Sequence, residues 1–220
     1  MKPVARIVND FTSAPPTLED VDRFRALSQS IPGWSHLGHV ALFKSLLREL
    51  FESDPAREPS LLVCGVYHGL DLAIIAYLAA QYHPTRLYRL TGVDLFSAAP
   101  CADWPVEKRH LTWEQAFQCA PPSLSAAVKN CPTAEICACD SIKYLNEFAG
   151  DFDAIYLDTS HDEATVHREL TAILAHPRAG RLLAGDDYSG PGNFDCGVAR
   201  ALDALLPDHQ ALGNRVWLAA

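Results

Sequence analysis

Short apolar runs alternate with longer amphipathic stretches from residue 61 to the end of the chain. Such runs, followed by turn residues, are typical of buried β-strands. The predicted strands cover 61–66, 86–94, 134–139, 152–158, 181–187 and 216–219. The predicted helices cover 70–81, 141–148, 162–176 and 198–206, and 95–129 is expected to hold a connection followed by one or two helices. This alternation predicts an α/β fold with a doubly wound, mostly parallel sheet flanked by helices.

The N-terminal region has a helical pattern without strands. Thr17 is placed to cap a helix that runs through Phe24 and Leu27 and ends at the Pro-Gly pair 32–33. A second helix carries apolar residues at helical spacing, namely Val40, Phe43, Leu46, Leu47 and Leu50. The sequence therefore predicts an N-terminal helical cap at 1–55 and a core at 56–220, together forming one compact domain.

The composition is that of a globular protein with an acidic surface. The chain has 220 residues, 49% of them hydrophobic and 20% charged, and a formal net charge of -9. An acidic balance disfavours nucleic acid and anionic membranes as partners, and no apolar run reaches the roughly 20 residues that span a bilayer. The start of the chain lacks the residue order of a secretion signal. The seven cysteines include no Cys-x-x-Cys pair, which indicates reduced thiols in a cytoplasmic protein.

Aspartates end two of the predicted strands. Asp158 ends one, and Asp186 and Asp187 end the next. The carboxyl ends of strands are where open α/β sheets bind ligands, and carboxylates gathered there repel one another unless a cation lies among them. The three side chains therefore indicate a divalent cation, Mg²⁺ or a similar ion. The alternative is a solvated turn, because the residues that follow Asp187 are turn-rich.

His161 follows the first of these aspartates by three positions. Histidine has an unperturbed pKa of about 6.5 and can accept a proton near neutral pH, so His161 is the candidate general base. A role beside the metal ligands, or in contact with substrate, fits the same position. His167, in the following predicted helix, is expected to be structural.

Two glycines, Gly65 and Gly69, mark the sharp turn from the first predicted strand into a helix. Their spacing matches neither the G-x-G-x-x-G motif nor a P-loop, yet glycine there lets a ligand approach the helix N-terminus. Asp94 ends the second strand, where an acid can accept hydrogen bonds from a ribose. Asp140 and Ser141 follow the third strand, and Asp140 is placed either to cap the next helix or to receive an adenine amino group.

The order of these motifs on successive strands resembles that of the class I S-adenosylmethionine-dependent methyltransferases, over residues 61–187. Within that group the chain is similar to the divalent-metal-dependent small-molecule O-methyltransferases of the catechol type and of the antibiotic-tailoring sugar type. The resemblance implies S-adenosylmethionine bound by Gly65, Tyr67, Gly69, Asp71, Asp94, Asp140, Ser141 and Asp158. It implies Mg²⁺, or another divalent cation, at Asp158, Asp186 and Asp187. His161 stands where catechol-type enzymes have a lysine base, and Val63 departs from a position that is commonly acidic in the family.

The resemblance also assigns regions to the lid and to the acceptor side. The segment with Trp34 and His36, between the two leading helices, is expected to fold over the cofactor and exclude water. Tyr188 begins the loop 188–195, which together with the connection 96–113 is expected to line the acceptor pocket. The alternative for Trp34 is an ordinary position in the core.

The sequence thus predicts an S-adenosylmethionine-dependent O-methyltransferase that acts on a hydroxyl of a small molecule, a secondary metabolite, with a divalent metal orienting and activating the acceptor. One alternative is a metal-independent methyltransferase with His161 as base, and another is a methyltransferase-like binding protein without turnover. The expected partner is a small hydroxylated acceptor, with no nucleic acid and no membrane. The leading helices offer a surface for a homodimer.

Overall fold

Strands and helices alternate along the described part of the chain. The computed structural model describes residues 3–31, 33–67, 69–95, 133–178, 180–189, 197–213 and 215–219. The strands are β1 (Ser60–Cys64), β2 (Arg89–Asp94), β3 (Thr133–Ala138), β4 (Ala154–Leu157), β5 (Leu182–Gly185), β6 (Gln210–Ala211) and β7 (Trp217–Ala219). The helices are α1 (Pro3–Ser13), α2 (Leu18–Ser30), α3 (Leu37–Ser53), α4 (Leu70–Tyr82), α5 (Ser141–Phe148), α6 (Glu163–Leu174) and α7 (Gly197–Leu205), with a 3₁₀ turn at Ala149–Asp151.

All of these strands belong to one sheet, in the order β3-β2-β1-β4-β5-β7-β6. Strands β1 to β5 pair in parallel, and β7 runs antiparallel between β5 and β6. The chain moves outward from β1 through β2 to β3 and then returns to β4 on the other side of β1. The strand order therefore reverses between β1 and β4, and open α/β sheets bind ligands outside the strand ends at such a point. The predicted doubly wound, mostly parallel sheet is confirmed.

Alternate side chains of the central strands fill two hydrophobic clusters, one on each face of the sheet. In β1, Leu61 and Val63 join the cluster formed with α1 to α4, whereas Leu62 and Cys64 join the cluster formed with α5, α6 and α7. Because both faces are covered, the strands read as continuous apolar runs rather than as alternating ones.

Three helices precede the sheet, whereas the pattern predicts two. The additional helix is α1, which buries Ile7. Its signal is present in the sequence, because proline is favoured at the first helical position and Val4, Ile7, Val8 and Phe11 follow the i, i+3, i+4, i+7 spacing of an apolar face.

Helix α3 forms part of the layer that covers the sheet. Twelve of its seventeen residues are buried, and they include every apolar position of the predicted stripe. The helix packs against α1 and α4, and its side chains share one hydrophobic cluster with β1 and β4. The predicted cap and the sheet therefore have a continuous core, and the division at residue 55 stays a prediction.

The starts of two strands differ from the prediction by more than one residue. Strand β2 begins at Arg89 rather than at 86, because the Arg86 N–H donates to the carbonyl of His83 and extends the turn after α4. Strand β4 begins at Ala154 rather than at 152, and Phe152 and Asp153 separate it from the 3₁₀ turn that ends at Asp151. The helices predicted up to residue 129 lie outside the described residues. Within the part of the chain that is described, no helix combines the length and the apolarity of a membrane span.

A buried aspartate ties α2 to α3 and α4. Asp20 accepts the Thr17 N–H at 2.8 Å while the Thr17 hydroxyl accepts the Asp20 N–H at 3.2 Å, which forms a capping box and confirms the predicted cap. Lys44 Nζ donates to the same carboxylate at 2.9 Å, and the Tyr82 hydroxyl donates at 2.8 Å. Burial opposes the charged carboxylate, but these bonds outweigh it and lower the pKa of Asp20.

We expect Asp20→Asn to lower the free energy of unfolding by about 2 kcal/mol, because the Lys44 ammonium loses a buried partner. At this chain length the melting temperature should fall by roughly 4–8 °C. Since the folded pKa of Asp20 is depressed, its contribution is complete above the unfolded pKa of about 3.9 and is lost as pH falls through the folded value. The difference between the melting temperatures of the wild type and Asp20→Asn should therefore shrink in acid. The control is Asp22→Asn, which removes an exposed ion pair. An equal loss of stability in Asp22→Asn would contradict the role assigned to Asp20.

Candidate active site

The turn after β1 and the end of β4 meet where the strand order reverses, and Gly65 makes their approach possible. Its φ of +90° lies in the left-handed region. The Gly65 N–H donates to the Val93 carbonyl at 2.8 Å, and the Asp158 N–H donates to the Cys64 carbonyl at 2.8 Å. A Cβ at residue 65 would stand 1.7 Å from the Asp158 carbonyl oxygen. Glycine is therefore required for the predicted cofactor turn to lie against the predicted metal aspartate.

Asp94, at the end of β2, holds the same turn from the other side. Its Oδ2 accepts the backbone N–H groups of Val66 and Tyr67 at 2.8 Å each. Tyr67 has a φ of +48°, which is uncommon for a residue with a Cβ, and Gly69 then begins α4 at a φ of +85°. Asp94 thus supports the turn, a role that the sequence does not reveal. Its contact with a ribose stays a prediction.

Glu169 joins the start of α5 to the loop after β4, and sequence reasoning does not identify it. Its side chain is buried and accepts hydrogen bonds from the hydroxyls of Ser141 and Thr159, the second at 2.8 Å. Burial raises the pKa of Glu169, although both hydroxyl bonds favour its charged form. The available signal was its place on the apolar face of α6, beside the buried Val166 and Leu170.

Two of the predicted site residues cap helices. Asp140 accepts the Lys143 N–H at 2.9 Å and caps α5, as its position predicts. His36 caps α3, where its Nδ1 accepts the Gly38 N–H at 3.0 Å. The adenine contacts of Asp140 and Ser141 stay predictions.

Four aspartate side chains interact at the carboxyl edge of β4 and β5. Three are the predicted metal ligands Asp158, Asp186 and Asp187, and the fourth is Asp71, in the first turn of α4. Burial, together with the charges of the three other carboxylates, raises the pKa of Asp158 well above its ordinary value. A proton or a cation is needed among such groups, because buried like charges disfavour one another.

The first turn of α3 reaches this cluster. The Nε2 of the buried His39 lies 3.3 Å from Asp186 Oδ2, and His36 Nε2 lies 3.8 Å from Asp186 Oδ1. Burial alone would raise the pKa of Asp186, but the two histidines hold it well below its ordinary value. Burial disfavours the charged form of His39, whereas the carboxylates of Asp71, Asp186 and Asp158 favour it.

The segment before α3 contacts the fourth aspartate. The Ser35 hydroxyl donates to Asp71 Oδ1 at 2.5 Å. Burial raises the pKa of Asp71, whereas His39 and the bond from Ser35 favour the charged form. Trp34, next to Ser35, is exposed rather than in the core. The segment predicted to be a lid therefore reaches the acidic cluster through Ser35 and His36, with Trp34 at the surface.

Asp187 has two basic side chains as partners. It turns the chain after β5 with a φ of +61°. Its Oδ2 lies 2.5 Å from His161 Nε2, and its Oδ1 accepts a hydrogen bond from Arg215. Arg215 lies 28 residues further along the chain, and no local pattern marks it as a site residue. The predicted base is thus held by one of the predicted metal ligands.

The possible ligand atoms divide into two sets. One donor atom from each member lies within 4.8 Å of the others in the sets Asp158, His161, Asp187 and His36, His39, Asp186. The three predicted ligands are thus shared between two neighbouring sets among the described residues. Each carboxylate oxygen has two lone pairs, so a hydrogen-bonded aspartate can still bind a cation. Crowded, buried carboxylate oxygens fit a hard divalent cation such as Mg²⁺.

Of the two segments predicted to line the acceptor pocket, the structure describes only the start of the loop 188–195. The Tyr188 N–H donates to the Arg215 carbonyl at 2.8 Å, and the Tyr188 ring lies 5.2 Å from that of His209. Residues 96–113 and 190–195 lie outside the described part of the chain. The acceptor-lining roles stay predictions.

A family model for the methyltransferase domain matches residues 62–188. This range is more than half of the chain, and it runs from β1 to the residue after the aspartates that follow β5. The chain therefore belongs to the methyltransferase domain family. No functionally curated protein sequence matches it significantly.

Solved structures share the fold over nearly the whole chain. CalS11, described as a TDP-rhamnose 3'-O-methyltransferase of calicheamicin biosynthesis, is 17% identical with a TM-score of 0.60, over 99% of this chain and 92% of that one. An O-methyltransferase from Bacillus cereus in complex with SAH is 14% identical with a TM-score of 0.53, over 100% and 97%. MycE, solved with Mg and SAH, is 17% identical with a TM-score of 0.52, over 93% and 54%. With its family and fold established, the chain is a class I S-adenosylmethionine-dependent methyltransferase.

Gly65→Ala should destabilise the protein more than Gly69→Ala. Both glycines have a left-handed φ, so alanine costs each about 1 kcal/mol of backbone strain. A Cβ at residue 69 meets no described atom within 4 Å, whereas a Cβ at 65 collides with the Asp158 backbone. We expect the free energy of unfolding, measured in urea, to fall by about 2 kcal/mol more for Gly65→Ala, because the two strand ends must separate. Equal losses for the two variants would refute the close approach.

Proposed function

We propose that the chain transfers the methyl group of S-adenosylmethionine to a hydroxyl oxygen of a small molecule, with a divalent cation held by the acidic cluster. The observation that carries the proposal is that the half-buried Asp158 interacts with three other carboxylates, of which Asp71 and Asp187 are buried. In a water-poor site such a group is neutralised by a proton or by a cation. Its position beside Gly65, where the strand order reverses, favours a binding role.

The acceptor side of the proposed site consists of the aspartates and His161. Asp158, Asp186 and Asp187 would hold the cation, which would orient the acceptor hydroxyl and lower its pKa. His161 would take the acceptor proton at the ring nitrogen that Asp187 does not hold. A carboxylate on one ring nitrogen fixes the orientation of a histidine base, as in other proton-transfer sites. The chain must also align the acceptor oxygen with the methyl group, since the transfer is an in-line displacement.

The cofactor side of the proposed site is the turn after β1 and the next two strand ends. In this proposal the turn would hold the methionine end, Asp94 would hold the ribose, and the start of α5 would hold the adenine. The proposed contacts are Gly65, Tyr67, Gly69, Asp71, Asp94, Asp140, Ser141 and Asp158. The bonds from Val66 and Tyr67 to Asp94 support this arrangement, because they fix the acid and the turn relative to each other.

The proposed class of acceptor comes from proteins of similar fold. CalS11 is named as a methyltransferase of the TDP-rhamnose 3' position, and MycE was also solved with Mg, SAH and mycinamycin VI. Identities of 15–17% make these similarities of fold. They suggest, as our proposal, a hydroxyl on a sugar-bearing secondary metabolite.

A second candidate is methyl transfer without a metal, with His161 alone as the base. The contacts of Asp187 favour this alternative, because His161 and Arg215 already occupy both of its oxygens. The two candidates differ in whether a chelator removes activity.

Asp186→Asn should remove most of the activity and its dependence on Mg²⁺, because a neutral amide is a weak ligand for a hard cation. The assay is transfer of a labelled methyl group to a panel of hydroxylated sugars and phenols, with chelator and with Mg²⁺. Binding of S-adenosylmethionine should change little. Asp162→Asn is the control, since asparagine retains the helix cap that Asp162 provides. Full activity that remains sensitive to chelator in Asp186→Asn would argue against the metal site.

His161→Gln should lower kcat by about 10²–10⁴-fold, the usual contribution of a general base. The affinity for S-adenosylmethionine should stay near that of the wild type, because His161 contacts Asp187 on the acceptor side. His167→Gln is the matched control on α6, where His167 is exposed. A kcat for His161→Gln within threefold of the control, well below the smallest loss expected for a base, would exclude that role.

A further inference from the structure

We propose that His39, assisted by His36, is a positioning residue that donates an Nε2–H to Asp186 and holds this carboxylate in place for the cation. The inference rests on the proposed function, in which Asp186 is a metal ligand. It concerns the first turn of α3, far in sequence from the strand that carries Asp186.

The hydrogen bond at Nδ1 of each ring shows which ring nitrogen carries the proton. His39 Nδ1 accepts the backbone N–H of His36 at 2.9 Å, and His36 Nδ1 accepts the backbone N–H of Gly38 at 3.0 Å. A ring nitrogen that accepts a hydrogen bond carries no proton, so the ring proton is on Nε2. Both Nε2 atoms face Asp186, at 3.3 Å and 3.8 Å. The protonated Nε2 of His39 is therefore the nearer donor for this carboxylate, close to hydrogen-bond distance, while that of His36 stands beyond it.

The same arrangement excludes a metal-binding role for the two histidines, although their Nε2 atoms and an Asp186 oxygen lie within 4.8 Å of one another. An imidazole that binds a metal does so through an unprotonated nitrogen and donates from its other nitrogen. In His36 and His39 the other nitrogen is an acceptor. The set therefore does not form a second cation site.

His39 is the better placed of the two donors. Its side chain is 1% exposed, against 34% for His36. The ring lies 6.1 Å from that of Phe43 and 6.0 Å from that of Tyr156, so aromatic neighbours on α3 and β4 fix its plane. A ring held by packing on two sides and by a bond to its Nδ1 can direct Nε2–H at one carboxylate. Partners of this kind commonly determine metal affinity.

The first test compares two replacements of His39 by calorimetric titration of Mg²⁺ in the presence of S-adenosylmethionine. Glutamine can place an amide donor near the Nε2 position, whereas methionine fills similar space without a donor. We expect His39→Met to weaken Mg²⁺ binding about 10- to 100-fold and His39→Gln to recover most of that loss. His167→Met, on the exposed face of α6, should bind like the wild type. Wild-type affinity in His39→Met, or an equal loss in both replacements, would overturn the inference.

The second test locates the ring proton directly by two-bond ¹H–¹⁵N NMR correlations of the histidine rings, assigned with the His39 variants. We expect a proton on His39 Nε2 with and without Mg²⁺, and an unprotonated Nε2 would overturn the inference. The readout does not depend on methyl transfer. A wild type that binds no Mg²⁺ would refute the proposed metal-dependent function, while the ring proton would still decide the donor assignment.

Discussion

Four buried or half-buried carboxylates interact at one edge of the sheet, and their mutual repulsion is the constraint on which the arrangement of the site depends. Parallel strands carry their last residues to the same edge, so β4 and β5 bring Asp158, Asp186 and Asp187 together, and α4 adds Asp71. Burial and like charge together raise the pKa of Asp158. Positively charged or hydrogen-bond-donating groups from distant parts of the chain reduce this repulsion. The first turn of α3 contributes histidines, and the segment before β7 contributes Arg215.

The N-terminal helices consequently have two roles that cannot be separated. Helix α3 covers the sheet with a buried apolar surface, and the same helix begins with His36 and His39 against Asp186. Asp20 ties α2 to α3 and α4 from the other side through Lys44 and Tyr82. Loosening these helices would expose core residues and also withdraw donors from the acidic cluster. We therefore expect stability and cation binding to respond together to changes in this region.

The sequence was sufficient for features with local causes. Apolar runs predicted the strands, and the aspartates that follow β4 and β5 could be found because strand ends share one edge. Thr17 and Asp140 follow capping rules and form the predicted caps. The contacts of His39, Glu169 and Arg215 could not be predicted, because each depends on how distant elements pack. His39 lies in a helix whose sequence pattern indicates only a core position. Glu169 accepts hydrogen bonds from hydroxyls at the start of α5 and in the loop after β4, and Arg215 pairs with an aspartate 28 residues away.

The central claim is that the acidic cluster of this methyltransferase binds a divalent cation beside the cofactor. Calorimetric titration of S-adenosylmethionine and then Mg²⁺ into the wild type and Asp158→Asn tests it most directly. The account predicts cofactor binding in both proteins, with a Mg²⁺ heat that chelator removes in the wild type and that is absent in Asp158→Asn. An identical Mg²⁺ heat in both proteins, or none in the wild type with cofactor bound, would contradict it.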